Sequence, residues 1–176
     1  DGSPIPFADE LRHQFKDARV FSVCDALAGY WQIRVSEDDV KKTAIRTPLG
    51  SYDFLVMGFG HTNAPAHYQK FMTHVLAPFL HKFVVVFIDD VCIYSRTVEE
   101  HEEHLRLVMA RLRECQIKLK RKKCLFFQTQ VEFLGHCVGG GVVTPVLDKL
   151  AAVRDWPQPH TKTALRGFLG LAGYYS

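Results

Sequence analysis

The stretch Phe83-Val84-Val85-Val86-Phe87-Ile88-Asp89-Asp90-Val91-Cys92-Ile93-Tyr94 decides how the chain is read. Two β-branched and aromatic runs flank a pair of carboxylates, the spacing of two strands joined by a tight hairpin. Acids so placed have two readings: an exposed turn, where Asp is common, or a functional pair at the end of a sheet. Asp25 favours the second. It ends another β-rich run, Val20–Cys24, 64 residues upstream. If the two strands are neighbours, three carboxylates converge. Like charges about 4 Å apart repel by roughly 4 kcal/mol at an effective dielectric near 20. Such a cluster persists only with its acids protonated or a cation beside them. Hard oxygen donors select Mg²⁺ or Mn²⁺, and two such ions form the clamp used in phosphoryl and nucleotidyl transfer.

Outward from this pair, strands and helices mix. Phe7, Leu11 and Phe15 recur every fourth residue and predict a short amphipathic helix. Trp31, Ile33 and Val35 alternate with polar residues and predict a half-buried strand. Ala44–Thr47 and Tyr52–Met57 predict two more, with the turn Pro48–Ser51 between them. A helix is expected from Asn63, its cap, with Pro65 in the first turn and Tyr68, Phe71, Met72, Val75, Leu76 and Phe79 on its apolar stripe. Thr97 and Glu100 form a capping box before a helix bearing Leu105, Val108, Met109, Leu112 and Cys115. Val131–Val138 reads as one strand running into Gly139-Gly140-Gly141; Thr144-Pro145 starts a helix that Trp156–Pro159 breaks, with a final helix over Thr163–Tyr175. Hairpins without regular βαβ crossovers make an α+β fold with a mainly antiparallel sheet. The glycine run is the expected boundary, dividing a larger lobe, 1–139, from a small helical one, 140–176.

Composition narrows the class. The 176 residues are 47% hydrophobic and 23% charged, as in a globular chain rather than a disordered one. The longest apolar run, Phe83–Ile88, is too short to cross a bilayer. No secretory or transit segment opens the sequence, which with reduced thiols leads to an intracellular, non-secreted expectation. The five cysteines, 24, 92, 115, 124 and 137, have neither zinc-knuckle spacing nor an even count. The net charge of +3 is compatible with nucleic acid without requiring it. Lys118, Lys120, Arg121, Lys122 and Lys123 form a basic run, read as a solvated turn or a phosphate-facing one. His101-Glu102-Glu103-His104 superficially suggests a zinc helix, but its histidines are three apart, not four. An exposed acidic first turn is the reading preferred there. The opening at Asp1 and a last helix broken off at Ser176 suggest an excerpt of a longer polypeptide.

Four segments, in order, resemble the motifs of reverse transcriptases, most closely those of gypsy-type long-terminal-repeat retrotransposons. Phe21–Asp25 with Gly29–Ile33 is similar to the first acidic motif. Asn63-Ala64-Pro65-Ala66 is similar to the second, FIDDVCIYS to the aromatic-x-Asp-Asp box, and VEFLGHCV to the strand gripping the primer end. The resemblance covers essentially the whole chain. It implies a polymerase palm, a ferredoxin-like antiparallel sheet with helices on one face. It also implies partial fingers, an insertion over about 36–58, and a truncated thumb-like lobe.

The implied activity is RNA- and DNA-directed DNA polymerisation. The resemblance makes Asp25, Asp89 and Asp90 the catalytic and metal-binding set, with two Mg²⁺ ions and Mn²⁺ as a substitute. Ala26, Leu27, Ala28 and Gly29 would approach the triphosphate, and Tyr30 would be the gate against a ribose 2′-hydroxyl. Phe59 and Gly60 would pack on the nascent base pair. Lys122 or Lys123 would reach the triphosphate, the choice left open. Asn63, Pro65, Phe87, Phe133, Leu134 and Gly135, with Arg166, Gly170 and Tyr174 on one face of the last helix, would meet the nucleic acid. Implied partners are a primed RNA or DNA template, a deoxynucleoside triphosphate, and a flanking ribonuclease H with other Pol segments. No membrane partner is implied. Phe87, Gly58 and His61 depart from the usual Tyr, Pro and Leu. The upstream fingers strands are expected to be absent, which predicts weak activity for the chain alone. Two other readings are an inactive or co-opted retroelement relic that binds nucleic acid or protein, and a two-metal nuclease or phosphatase on another fold. The second leaves the Asn63 and Phe133 motifs without a role.

Overall fold

A computed structural model describes residues 8–146, 151 and 153–174. Among the described residues the helices are α1 (Ala8–Phe15), α2 (Glu37–Val40), α3 (Ala64–Leu76), α4 (Val98–Glu114) and α5 (Lys162–Tyr174), and residues 151 and 153–154, ahead of Trp156, are also helical. The strands are β1 (Val20–Asp25), β2 (Ile45–Thr47), β3 (Gly50–Tyr52), β4 (Val84–Phe87) and β5 (Asp90–Ser95), then β6 (Leu125–Gln128), β7 (Gln130–Phe133), β8 (His136–Gly139) and β9 (Val142–Pro145). They form a four-stranded sheet of order β4-β5-β1-β6, a β2-β3 hairpin and a β7-β8-β9 meander. The β1–β6, β2–β3, β7–β8 and β8–β9 pairs are antiparallel. The architecture is mixed α+β, as the hairpin-rich sequence predicts.

The chain divides into two compact units. The first comprises Cys24–Val91 and Leu105–Cys124. Its core gathers Ala64, Tyr68, Met72, Val75 and Leu76 of α3, Val84–Val86 of β4, and Val108 and Leu112 of α4. Asn63 precedes α3 with Pro65 in its first turn, but the Asn63 side chain makes no capping bond. The second unit comprises Cys92–His104 with the described parts of Pro4–Val23 and Leu125–Ser176. There Phe15 meets Phe21, Tyr94 and Phe133 edge-on, with ring centres 5.7, 5.0 and 6.4 Å away. Edge-on contact sets the positive rim of one ring against the negative face of the next.

Several expectations are corrected. Trp31 and Gln32 belong to the 3₁₀ turn Gly29–Gln32 rather than opening a strand, and Trp31 is exposed. The cause is non-local: Gln32 Nε2 donates to the carbonyls of Leu27 and Lys118, 2.7 and 3.0 Å away, and its Oε1 accepts from Lys118 N–H at 2.7 Å. The second strand of the 45–52 hairpin starts at Gly50 and ends at Tyr52, short of Met57. Val131–Val138 is two strands, not one. Leu134 and Gly135, at φ 50° and 71°, turn the chain between β7 and β8. Gly140 and Gly141, at φ 60° and 78°, make a second two-residue turn into β9, so Thr144 and Pro145 are strand residues rather than a helix start. Successive left-handed residues match the twist of a two-residue hairpin, and glycine adopts them without steric penalty.

Candidate nucleotidyl-transfer site

The acidic residues are placed by strand ends. Asp25 closes β1, and Asp90 opens β5 after the two-residue turn Ile88-Asp89. β1 and β5 are adjacent in the sheet, and Ala26 N–H donates to Asp89 C=O at 3.2 Å. The 64-residue separation in sequence therefore closes to neighbouring backbone. Burial raises the Asp90 carboxyl above the usual range, and the charges of Asp89 and then Asp25 push it further. Asp89 is exposed.

The basic run is stitched to the end of β1. Lys120 N–H donates to Asp25 C=O at 2.9 Å, and Leu27 N–H donates to Lys118 C=O at 2.9 Å. Arg121–Lys123 then forms a 3₁₀ turn that delivers Lys123 Nζ to 2.8 Å from Asp25 Oδ2. Hydrogen bonding and charge at Asp25 raise the Lys123 pKa, with smaller contributions from Asp89 and Asp90. Of the two lysines left open by sequence, Lys123 is the one that reaches the acids, while Lys122 is exposed on the same turn.

Beside the acids lies a cleft of about 380 Å³, lined by Asp25, Ala26–Tyr30, Phe59, Tyr68, Asp89, Lys120 and Lys123. Lys120 and Tyr68 are additions to the expected set. Tyr30 stands edge-on between Phe59 and Tyr68, at 5.4 and 5.5 Å. Burial and then the charge of Asp89 raise the Tyr30 phenol above its usual pKa. Tyr68 is 1% exposed, and its hydroxyl makes no hydrogen bond. Burial, with Asp89 and Asp25 nearby, raises its pKa strongly. Gly29 is required here, because a β-carbon would lie 2.7 Å from Tyr68 Cζ and 2.8 Å from its oxygen. Ala28 just before it is left-handed, at φ 49°.

Other expected residues fall elsewhere. Phe59 is exposed, and Gly60 sits at φ 96° in open space. Asn63 and Pro65 are exposed at the start of α3, and Phe87 is half-buried at the end of β4. Phe133 is corrected: its ring is 2% exposed and packs on Phe15, so it supports the β7–β8 hairpin from inside rather than facing a ligand. Leu134 and Gly135 are at the hairpin tip. Arg166 and Gly170 are exposed on α5, while the Tyr174 side chain lies outside the described residues. These C-terminal residues belong to the second unit, and the acids and cleft to the first.

The HEEH segment is also corrected, since His101 is fully buried rather than part of an exposed turn. Ser22 Oγ lies 2.7 Å from His101 Nε2, and Ser95 Oγ lies 2.8 Å from its Nδ1 and 2.7 Å from His104 Nδ1. Phe127 N–H donates to Ser22 Oγ at 3.1 Å. Burial, and then His104, lower the His101 pKa to about 4, so the ring is neutral at ordinary pH.

Among the described residues, no three His, Cys, Asp or Glu side chains are gathered as a ready metal cage. The donor chemistry nonetheless fits a divalent cation. Two hard-oxygen carboxylates, Asp25 and Asp89, line the cleft, Asp90 follows Asp89 in the chain, and Lys123 sets a positive charge against Asp25. No described helix is long and apolar enough to cross a membrane.

The sequence profile of the family "Reverse transcriptase (RNA-dependent DNA polymerase)" matches residues 4–138. The chain belongs to the reverse transcriptase family. A retrovirus-related Pol polyprotein from transposon 297 of Drosophila melanogaster is 37% identical over 175 residues, which is 99% of this chain and 16% of the relative. The Tf2-3 transposon polyprotein of Schizosaccharomyces pombe is 33% identical over 171 residues, 97% of this chain and 13% of the relative. The chain thus spans about one-sixth or less of these two polyproteins. Among solved structures, a foamy viral protease–reverse transcriptase bound to double-stranded DNA aligns with 97% of this chain and 30% of that one, at TM-score 0.80 and 21% identity. A second, bound to an RNA/DNA hybrid, aligns with 87% of this chain and 21% of that one, at TM-score 0.70 and 23% identity. These two show the reverse-transcriptase fold.

Proposed function

We propose that the chain is the polymerising core of a retrotransposon reverse transcriptase, extending a primer 3′-hydroxyl from deoxynucleoside triphosphates on an RNA or DNA template. The observation that carries this reading is the arrival of Asp25, Asp89 and Lys123 at one cleft through β1, the β4–β5 turn and the 121–123 turn. Asp25, Asp89 and Asp90 are the residues to hold Mg²⁺, with Mn²⁺ as substitute. When bound, the cation supplies Lewis acidity for deprotonating the primer hydroxyl and stabilising pyrophosphate. Lys123 supplies a mobile positive charge for a triphosphate oxygen, and exchanges Asp25 for it as the nucleotide enters. Tyr30, braced between Phe59 and Tyr68, is the residue we assign as the gate against a ribose 2′-hydroxyl. The Ala26–Gly29 segment lets a ligand approach the backbone with little side chain in the way. The exposed Arg166 and Gly170 of α5 and the Leu134–Gly135 tip are proposed as nucleic-acid contacts, and an intracellular setting is proposed with them.

The test is extension of a primed homopolymer in Mg²⁺ buffer by the chain alone. A parallel assay places it within the Drosophila Pol relative, replacing the matching 175 residues. Extension is expected to be weak from the chain alone and robust in the exchange. In both it should fall at least about a hundredfold with Asp89→Asn, the scale of losing one electrostatic group that acts in the transition state. Equal extension by wild type and Asp89→Asn refutes the reading.

A further inference from the structure

The turn that presents Asp89 is strained, and one side chain of α3 holds it. Ile88 adopts φ 52°, a left-handed backbone that a β-branched residue avoids because its β-carbon crowds the neighbouring peptide. Such conformations persist only where surrounding structure imposes them. Gln69 Oε1 accepts from Ile88 N–H at 2.5 Å, and Gln69 Nε2 donates to Val86 C=O at 3.3 Å and to Thr73 Oγ1 at 3.2 Å. The amide orientation is fixed by its partners: a flip would set its NH₂ against an N–H and its oxygen against a carbonyl. Gln69 therefore spans the turn, gripping a carbonyl on β4 and the amide two residues later. From the opposite side Ala26 N–H holds the Asp89 carbonyl at 3.2 Å. The backbone on both sides of the Asp89 side chain is bolted, one bolt from α3 and one from the end of β1. The Asp89 carboxylate is exposed and has little packing of its own to aim it, so its direction is set by this backbone.

We propose that Gln69 is a positioning residue for Asp89, its amide holding the left-handed Ile88 turn that aims the carboxylate into the cleft. This rests on the polymerase reading above. The amide matters because the alternative, a relaxed turn with Ile88 at negative φ, rotates the peptide that carries Asp89. Displacements of about 1 Å at a reacting centre cost on the order of a hundredfold in rate.

The first measurement needs no activity. Amide hydrogen exchange on the 176-residue chain should show Ile88 N–H protected, and Gln69→Ala should speed its exchange at least tenfold while core amides of α3 such as Met72 hold theirs. The second measurement is primer extension in the exchanged polyprotein. Gln69→Ala should lower kcat ten- to a hundredfold, keep the KM for nucleotide within about threefold, and raise the Mg²⁺ concentration for half-maximal rate. Adding Ile88→Gly to Gln69→Ala should recover most of the lost kcat, because glycine takes φ near 50° without the clamp. Gln69→Glu keeps the acceptor for Ile88 N–H, loses the donors to Val86 and Thr73, and should fall between wild type and Gln69→Ala. Unchanged Ile88 exchange in Gln69→Ala overturns the proposal, as does a kcat loss that Ile88→Gly leaves in place. Should Gln69→Ala not fold, Gln69→Met, which keeps the side-chain bulk but removes the acceptor for Ile88 N–H, carries both readouts, and wild-type exchange or kcat in that variant overturns the proposal. A chain that never extends a primer refutes the polymerase reading, whereas the exchange result stands or falls independently.

Discussion

Lys123 Nζ stands 2.8 Å from Asp25 Oδ2 across 98 residues of sequence, joining the basic 3₁₀ turn to the end of β1. The lysine side chain is more than half exposed, so solvent screening leaves the pair only a small part in stability. Its larger consequence is electrostatic, since its charge interacts with all three acids.

Lys123→Ala is therefore expected to leave the denaturation midpoint nearly unchanged and to raise the KM for nucleotide about tenfold, the scale of one charge-assisted hydrogen bond. Lys122→Ala should stay within about twofold. Steady-state extension against nucleotide concentration separates them, and equal effects would remove the distinction drawn between the two lysines.

The orphan hydroxyl of Tyr68 gives a prediction of opposite sign. Tyr68→Phe deletes a buried polar atom that has no partner and should be neutral or stabilising by about 1 kcal/mol in urea denaturation. Gly29→Ala drives a methyl group against that ring and should cost about 1–3 kcal/mol. If Gly29→Ala proves harmless, the ring is less tightly confined than its burial implies.

His101 predicts an acid limb to the stability curve. Its folded pKa is depressed to about 4 from 6.5, so the neutral ring favours folding. That stability is fully present above pH 6.5 and declines as pH falls towards 4, because the unfolded chain binds the proton first. The loss amounts to about 3 kcal/mol at most. Chemical denaturation between pH 4 and 7 should show the slope in wild type and a shallower one in His101→Gln. Parallel slopes would assign the acid limb to other groups.

The start of α4 supplies a simpler test. Thr97 Oγ1 accepts from Glu100 N–H at 3.2 Å, and the Glu100 carboxylate accepts from Arg96 N–H at 3.1 Å. Thr97→Ala should cost about 1 kcal/mol, the usual value of an N-cap. A change below about 0.3 kcal/mol in denaturation would show the cap to be dispensable.

Much of the site was legible because its signals are local. The acids at 89 and 90 stand between apolar runs, Asp25 ends a third, and Thr97 with Glu100 spells a cap. What escaped was set by distant partners. Trp31–Val35 alternates like a strand, yet Gln32 is captured by the backbone of Lys118, and the segment turns. Val131–Val138 is apolar enough for one strand, but Leu134 accepts a left-handed backbone ahead of Gly135 and folds it in two. His101 sits among glutamates and reads as surface. Its faint clue lies far away, in Ser22 within an apolar strand and Ser95 at the end of another. Gln69 gave no signal, because an amide on a helix shows nothing of the loop it holds.

The contact between Gly29 and Tyr68 ties two motifs 39 positions apart into one steric unit. A larger residue at the first is tolerable only with a smaller one at the second. Related chains should therefore exchange these two positions in concert, and a graft that carries one motif without the other imports a collision.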